Sequence, residues 1–426
     1  MSNILYIQHK YSPYILQDDD EEEKGAFIMK LINAARSGAQ QKFYKHLNKA
    51  LNKWQNVPLK VAVIGATGSG KSSFINKIRG IKSHRDPLAA EVGVTETTKA
   101  VKDYPHPNNK NLVFYDLPGC GTKAFPLEKY MEKVDFKRFD FFIIMCYKRF
   151  TETDLKIAKE INKEKKCFYF VRSHIDADVD SNYKDKDKPE EETLHDIRTD
   201  CQKHLDEDGL TNHYIFLVSN REPDKFDFNK LTMRMVNDVS DLKRSAFVLT
   251  MSNLSSEMLE KKKEHLQKRI WKVAVGSAIS GIIPIPGMGR GIDILIVTME
   301  LKFYRAQFQI DETSIEEFEK ENGVHVEDLL KENSIPISTS SLMHSTEQLY
   351  NFMFEDGHVY DSMPKKLVYR MLSSFVGNNV FAYSSCERNL KRLLDICVAE
   401  RKVLNEHVAK KVANSVKILS SMTSSF

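Results

Sequence analysis

Eight consecutive residues carry the densest chemical signal in the chain: Gly65-Ala66-Thr67-Gly68-Ser69-Gly70-Lys71-Ser72, which satisfy G-x-x-x-x-G-K-[ST] at every fixed position. Glycines at 65, 68 and 70 let a backbone wrap a polyphosphate with its N–H groups inward, and a following helix adds unpaired donors and a positive dipole end. Lys71 is expected to reach the β- and γ-phosphates and the Ser72 hydroxyl to ligate Mg²⁺, with Ser69 and Ser73 on the same stretch. The apolar run Val61 to Ile64 reads as a buried strand entering the loop, and Ser73 to Arg79 as a helix leaving it. That context separates a working motif from a chance match, and the expected ligand is a nucleoside triphosphate.

A second signal is Asp116-Leu117-Pro118-Gly119, directly after the apolar run 111–115. There an aspartate can hold Mg²⁺ through water and the Gly119 N–H can sense a γ-phosphate, although Asp, Pro and Gly also build ordinary turns. Between the two motifs lies Gly93-Val94-Thr95-Glu96-Thr97-Thr98-Lys99, whose hydroxyls suit a loop that closes over the γ-phosphate; spacing leaves open which threonine reaches the metal. Base choice is expected at two further strand ends, Arg172-Ser173-His174-Ile175-Asp176 and Ser219-Asn220. A carboxylate at Asp176 can accept from the N1–H and exocyclic amine of guanine, an edge adenine lacks. Guanine specificity usually travels with [NT]-K-x-D, and His174 stands here in place of the lysine whose stem stacks on the base; an imidazole can still stack, and Asp176 as a plain loop acid is the alternative.

Other chemistries are poorly supported. The 13 histidines show no H-E-x-x-H spacing and no G-x-S-x-G elbow is present. A net charge of +4 argues against nucleic acid as a partner. Six cysteines without paired spacing point to a reducing, cytosolic compartment, and Cys146 and Cys167 are expected to pack as small hydrophobes. Residue 2 is Ser, so the myristoylation pattern is not met.

The elements that must position these residues are short apolar strands at 60–64, 111–115, 140–147, 167–171 and 214–218, with an edge strand near 98–104. Near-continuous apolar strands alternating with helices predict a mostly parallel sheet covered on both faces, with ligands at its carboxyl edge. The expected organisation is an acidic solvated arm over 1–24, helices over 25–56, an α/β domain over 57–238 and an all-α region over 239–426. Asp178 to Glu192 is expected as an exposed charged loop, and Ser334 to Ser341 as a loop between helical parts. The apolar stripes Leu254/Met258, Leu367/Met371/Phe375, Leu390/Leu393/Leu394/Cys397 and Val408/Val412/Val416/Leu419 are expected in the core. Trp271 to Met288 is interrupted by Pro284, Pro286 and Gly287, so two buried helices meeting at a turn are expected there rather than a membrane span.

Taken together, GATGSGKSS, GVTETT, YDLPGCGT, FVRSHIDAD and FLVSNREPDKFDF, followed by IIPIPGMGRGIDI and LKFY, resemble the interferon-inducible immunity-related GTPases, a branch of the dynamin-like large GTPases. Lys71 places the resemblance with the GKS type, the effector side of that family. The resemblance implies a Ras-like P-loop GTPase domain with a mixed, mostly parallel sheet, and one helical domain built from N- and C-terminal helices. It implies that Gly65, Ser69, Gly70, Lys71 and Ser72 hold phosphates and Mg²⁺ with Asp116 behind them. Asp176 and Asn220 would then address guanine, and Glu96 and Thr98 occupy switch positions that join two GTPase domains and assist hydrolysis.

Small GTPases orient the attacking water with a glutamine just after the D-x-x-G glycine, where this chain has Cys120, and no arginine finger is identifiable within it. An isolated chain is therefore expected to turn over slowly, with Glu96 and a facing copy ordering the water. The expectation is a cytoplasmic GTPase, GTP to GDP with Mg²⁺, that assembles with itself and acts peripherally at intracellular membranes in cell-autonomous immunity. A nucleotide-gated binding protein with negligible hydrolysis, motivated by Cys120, and a P-loop kinase or ATPase, motivated by His174, are the alternatives.

Overall fold

A computed structural model describes residues 19–37, 40–81, 83, 85–92, 100–119, 127–210, 213–223, 225–251, 255–280, 291–354 and 380–423. In chain order the helices are α1 (Asp19–Arg36), α2 (Gln40–Leu51), α3 (Lys71–Ile78), α4 (Leu127–Lys133), α5 (Glu152–Lys163), α6 (Ile175–Lys186), α7 (Glu190–Glu207), α8 (Phe228–Asp238), α9 (Asp241–Thr250), α10 (Ser256–Ser280), α11 (Gly291–Phe308), α12 (Glu312–Asn322), α13 (Val326–Glu332), α14 (Thr339–His344), α15 (Thr346–Phe354) and α16 (Val380–Thr423). The strands are β1 (Leu59–Gly65), β2 (Lys102–His106), β3 (Asn109–Asp116), β4 (Phe141–Cys146), β5 (Cys167–Arg172) and β6 (Ile215–Leu217). The chain divides into two compact units, 54–262 and the remainder, and helix α1 takes in Asp19 to Glu23 of the acidic run.

The first unit is a six-stranded sheet of order β2-β3-β1-β4-β5-β6, parallel except for the β2–β3 pair. This is the mixed, mostly parallel sheet expected from the strand pattern. Side chains two residues apart share a face, so the apolar strands feed two cores. Val61, Val63, Ile143, Met145 and Val171 meet Phe74 and Ile75 of α3, Leu231 and Val236 of α8, and Phe247 of α9. On the other face Ala62, Ile64, Phe142, Ile144 and Phe170 meet Leu155, Ala158 and Ile161 of α5, Ile175 of α6 and Leu205 of α7. Helix α5 starts from a reciprocal cap in which Thr151 and Asp154 satisfy each other's backbone N–H groups.

Three sequence expectations need correction. Asp178 to Glu192 is not a loop: it is the body of α6 and the start of α7, broken only over 187–189, where Asp187 has left-handed conformation. High charge forbids burying the whole segment but not a helix, which needs one apolar stripe; Ile175 and Val179 supply it in α6, and Cys201 and Leu205 in α7. Cys146 is buried, and burial pushes its thiol well up, but Cys167 is exposed at the start of β5. In the stripe on α16, Leu390, Leu393, Leu394 and Cys397 are core, whereas Val408 and Val412 are 40% and 58% exposed. Beyond Leu404 the helix runs on without a covering layer on that face among the described residues.

The second unit joins α1 and α2 to the C-terminal helices. Ile28, Leu31, Phe43 and Leu47 are buried, Phe27 meets Trp271 edge-on at 5.5 Å, and Arg269 donates to Leu51 O at 3.3 Å. Inside this unit the Glu400 carboxylate accepts both the Thr339 N–H (2.5 Å) and its hydroxyl (2.7 Å), and Arg305 donates to the same hydroxyl oxygen at 3.0 Å. Thus 339–341, part of the expected 334–341 loop, opens a helix anchored by a buried acid, with Ser338 as its cap. No helix among the described residues is long and apolar enough to cross a membrane. Leu254, Leu367, Met371, Phe375 and the turn at 284–287 lie outside the described residues, as do the side chains of Val416 and Leu419.

Candidate functional site

The carboxyl edge of the sheet gathers the predicted residues. Strand β1 ends at Gly65, φ +154°, so close to β4 that a Cβ there would lie 2.1 Å from Met145 O. The loop then turns through Gly68 to Gly70 and enters α3 at Lys71. Lys71 is 8% exposed and curls back over its own loop, donating from Nζ to Gly65 O at 3.0 Å and Ala66 O at 3.2 Å. The parallel register sets Val63 beside Asp116, and Leu117 N–H donates to Val63 O at 3.0 Å, which carries Asp116 to the loop. There Ser72 Oγ donates to Asp116 Oδ2 at 2.8 Å, so the two residues singled out for Mg²⁺ are in direct contact. Gly119 is buried just beyond. Asp154, on α5, is close enough for the Lys71 charge to act on it; burial pushes its carboxyl up, opposed by the Thr151 hydrogen bonds and more weakly by Lys71.

The loops after β5 and β6 are tied to the same turn. Ser173, fully buried, has its hydroxyl 2.8 Å from Ser69 O and 3.0 Å from Cys146 O. Asn220 Nδ2 donates to Gly70 O at 3.2 Å. Ser219 Oγ accepts the N–H groups of Arg221 (3.1 Å) and Glu222 (3.0 Å), closing the turn that presents Asn220. His174 has left-handed backbone, φ 58°, at the cap of α6; its ring meets Tyr147 edge-on at 4.7 Å. Asp176 lies in the first turn of α6 and Arg221 Nη1 stands 3.9 Å from its Oδ2.

A cavity of about 320 Å³ opens here, lined by Ser73 and Asn76 of α3 and by His174, Asp176, Asn220 and Arg221. Three buried polar atoms around the turn, Ser69 Oγ, His174 Nε2 and Asn220 Oδ1, have no hydrogen-bond partner among the described residues. Buried polar groups are rarely left unpaired, so their convergence marks a place where a polar ligand completes the bonding. For a divalent cation the donors present are hard oxygens, Ser72 and Asp116, of the kind magnesium takes beside phosphate oxygens. Among the described residues no cluster of three His, Cys, Asp or Glu side chains forms a self-sufficient metal site.

Thus Gly65, Gly68, Ser69, Gly70, Lys71, Ser72, Ser73, Asp116, Gly119, His174, Asp176, Ser219 and Asn220 share one edge of the sheet. Glu96 and Thr98, with the rest of 93–99, and Cys120 lie outside the described residues. Sequence reasoning passed over three participants. Ser173 could have been found, because it occupies the [NT] place of [NT]-K-x-D with another hydroxyl. Tyr147 and Arg221 carry no motif and emerge only from the folding of β4 and the 219–222 turn.

A profile of the family described as Interferon-inducible GTPase (IIGP) matches residues 25–406. The mouse protein named Interferon-inducible GTPase 1 is 38% identical over 303 residues, 70% of this chain and 73% of that one. The mouse Interferon-gamma-inducible GTPase 10 is 37% identical, covering 71% and 72%, and the rat Interferon-inducible GTPase 5 is 33% identical, covering 75% and 70%. With a match over residues 25–406 and relatives 33–38% identical over about 70% of their own length, the chain belongs to the interferon-inducible GTPase family.

Proposed function

We propose that this chain binds GTP in the edge cavity and phosphate turn, hydrolyses it to GDP and phosphate, and in its GTP state assembles with itself at the surface of intracellular membranes in an immune role. The observation that carries the nucleotide part is the turn itself: the Lys71 ammonium held over two loop carbonyls, and the Ser72 hydroxyl already on the Asp116 carboxylate. An ammonium held by neutral carbonyls gains by moving to anionic phosphate oxygens. Ser72 and Asp116 would hold Mg²⁺, which when bound supplies charge neutralisation of the phosphates. Asp176 accepts the guanine N1–H and amine, while Asn220, through its tie to Gly70, keeps the base side in register with the phosphate side.

For hydrolysis, Lys71 stabilises charge on the transferred phosphoryl group, Glu96 orders the attacking water from a facing molecule, and Thr98 closes over the γ-phosphate. The GTPase names of the relatives support the reaction, and their interferon-inducible names support the immune setting.

The test is phosphate release across a series of protein concentrations with light scattering recorded in parallel, and Lys71→Ala as control. Turnover per molecule should rise through the micromolar range together with scattering. A flat specific rate would exclude assistance by a second copy. Release no greater than that of Lys71→Ala would replace the enzyme with a nucleotide-gated binding protein, as Cys120 in the glutamine position would favour.

A further inference from the structure

The base side of the site has one departure and one addition. At His174 it has an imidazole where a permanent lysine charge is usual, and from a different loop Arg221 brings a permanent charge to the same cavity. Arg221 is 87% exposed along its side chain, yet its Nη1 is 3.9 Å from Asp176 Oδ2, and Asp176 is 16% exposed. Its backbone is fixed by the Ser219 turn, and among the described residues lining the cavity its head stands at the carboxylate of Asp176. Guanidinium is planar, always charged and weakly hydrated, so it can pair with a carboxylate and lie on an aromatic face in turn.

We infer that Arg221 is the specificity-determining cation of the base site. It holds Asp176 facing the cavity before a nucleotide arrives, and it covers the base once Asp176 has exchanged the guanidinium for the guanine edge. The inference rests on Asp176 being the guanine acceptor. Arg221 acts through that acceptor and on the base, so it is a positioning residue with no part in phosphate chemistry.

The experiment is titration calorimetry of the full chain with GDP, ADP and inorganic pyrophosphate, each with Mg²⁺, for the unaltered protein, Arg221→Ala, Arg221→Lys, Asp176→Ala and the double variant. An exposed charge pair plus an exposed cation–π contact predicts about a five- to tenfold loss of GDP affinity in Arg221→Ala, with Arg221→Lys recovering part of it. Pyrophosphate affinity should stay within about twofold, the scatter ordinarily seen for an exposed substitution. In the Asp176→Ala background, removal of Arg221 should cost less GDP affinity than it does alone, since the two residues share one ligand.

GDP affinity unchanged in Arg221→Ala, or an equal fall for GDP and pyrophosphate, would overturn the inference while leaving guanine recognition intact. If the unaltered protein binds GDP no more tightly than pyrophosphate, base recognition at Asp176 fails and this inference with it. Thermal unfolding of each variant separates these losses from misfolding, and at an 87% exposed position no shift is expected.

Discussion

The tightest approach in the site is at Gly65, and replacing that glycine by alanine tests it directly. An added Cβ would sit 2.1 Å from Met145 O and 2.8 Å from Ser69 Oγ, where ordinary contact begins at 3.4 Å. The serine can rotate away but the carbonyl belongs to the β1–β4 ladder, in which Gly65 pairs with Met145. Relief therefore requires the two central strands to part by more than an ångström at the entrance to the phosphate turn. Overpacking of this kind costs about 1–3 kcal/mol, and an L-residue forced to positive φ about 1–2 more, so Gly65→Ala should lose about 2–5 kcal/mol. Gly68→Ala is the control: its φ is +81° but nothing lies within 4 Å of the added carbon, which leaves only a backbone cost of about 1 kcal/mol.

Urea unfolding read by tryptophan fluorescence in a Trp271→Phe background isolates Trp54, the remaining tryptophan and part of the sheet unit. At a slope of about 2 kcal/mol/M, Gly65→Ala should unfold about 1–2.5 M earlier than the parent and Gly68→Ala about 0.5 M earlier. Equal midpoints for the two variants would refute the close approach of β1 to β4.

Two further outcomes are expected. Burial pushes the Asp227 carboxyl up, but hydrogen bonds from Arg198, the Leu217 N–H and Lys230 outweigh it and leave Asp227 below the ordinary aspartate range. A depressed folded value means stability that is present above about pH 4 and lost as pH falls through that value. Denaturation midpoints of Asp227→Asn should therefore differ most from the parent at neutral pH and converge with it in acid; a constant gap would show that the charge is immaterial. Asp176→Asn exchanges an acceptor pair for one acceptor and one donor, so binding should move from guanine toward xanthine nucleotides, as measured by competition between GDP and xanthosine diphosphate. Retained guanine preference would remove Asp176 from the base site.

The phosphate side of this protein was legible because its chemistry is local. A strand, a glycine turn and a lysine within a dozen residues are a complete statement of the motif; the fold sets Ser72 on Asp116 and curls Lys71 back over Gly65 O. In the cavity after β5 and β6 the sequence singled out only the chemically distinctive residues, such as Asp176, as candidates. Tyr147 and Arg221 come to His174 and Asp176 from other loops, a proximity that no single segment encodes. The misread stretches have a common cause. Around 178–192 charge density drew attention away from the buried residues that flank it, Ile175 and Val179 in α6 and Cys201 and Leu205 in α7, while in α16 an apolar stripe continued past its cover among the described residues: Leu404 is 1% exposed and Val408 40%. Periodicity specifies a helix and a face, but not whether another element arrives to meet that face.

The division of the chain also bears on its biosynthesis. Helices α1 and α2 belong with segments that follow residue 262, so the sheet unit is an insertion into a discontinuous helical body. On the ribosome, the apolar faces around Leu31 and Phe43 must wait while the roughly 200 intervening residues are made, on the order of 10–40 seconds at ordinary elongation rates. By the end of that interval the nascent chain holds all the residues of the sheet unit while two helices still await their partners, and a chaperone or premature self-contact has its opportunity there.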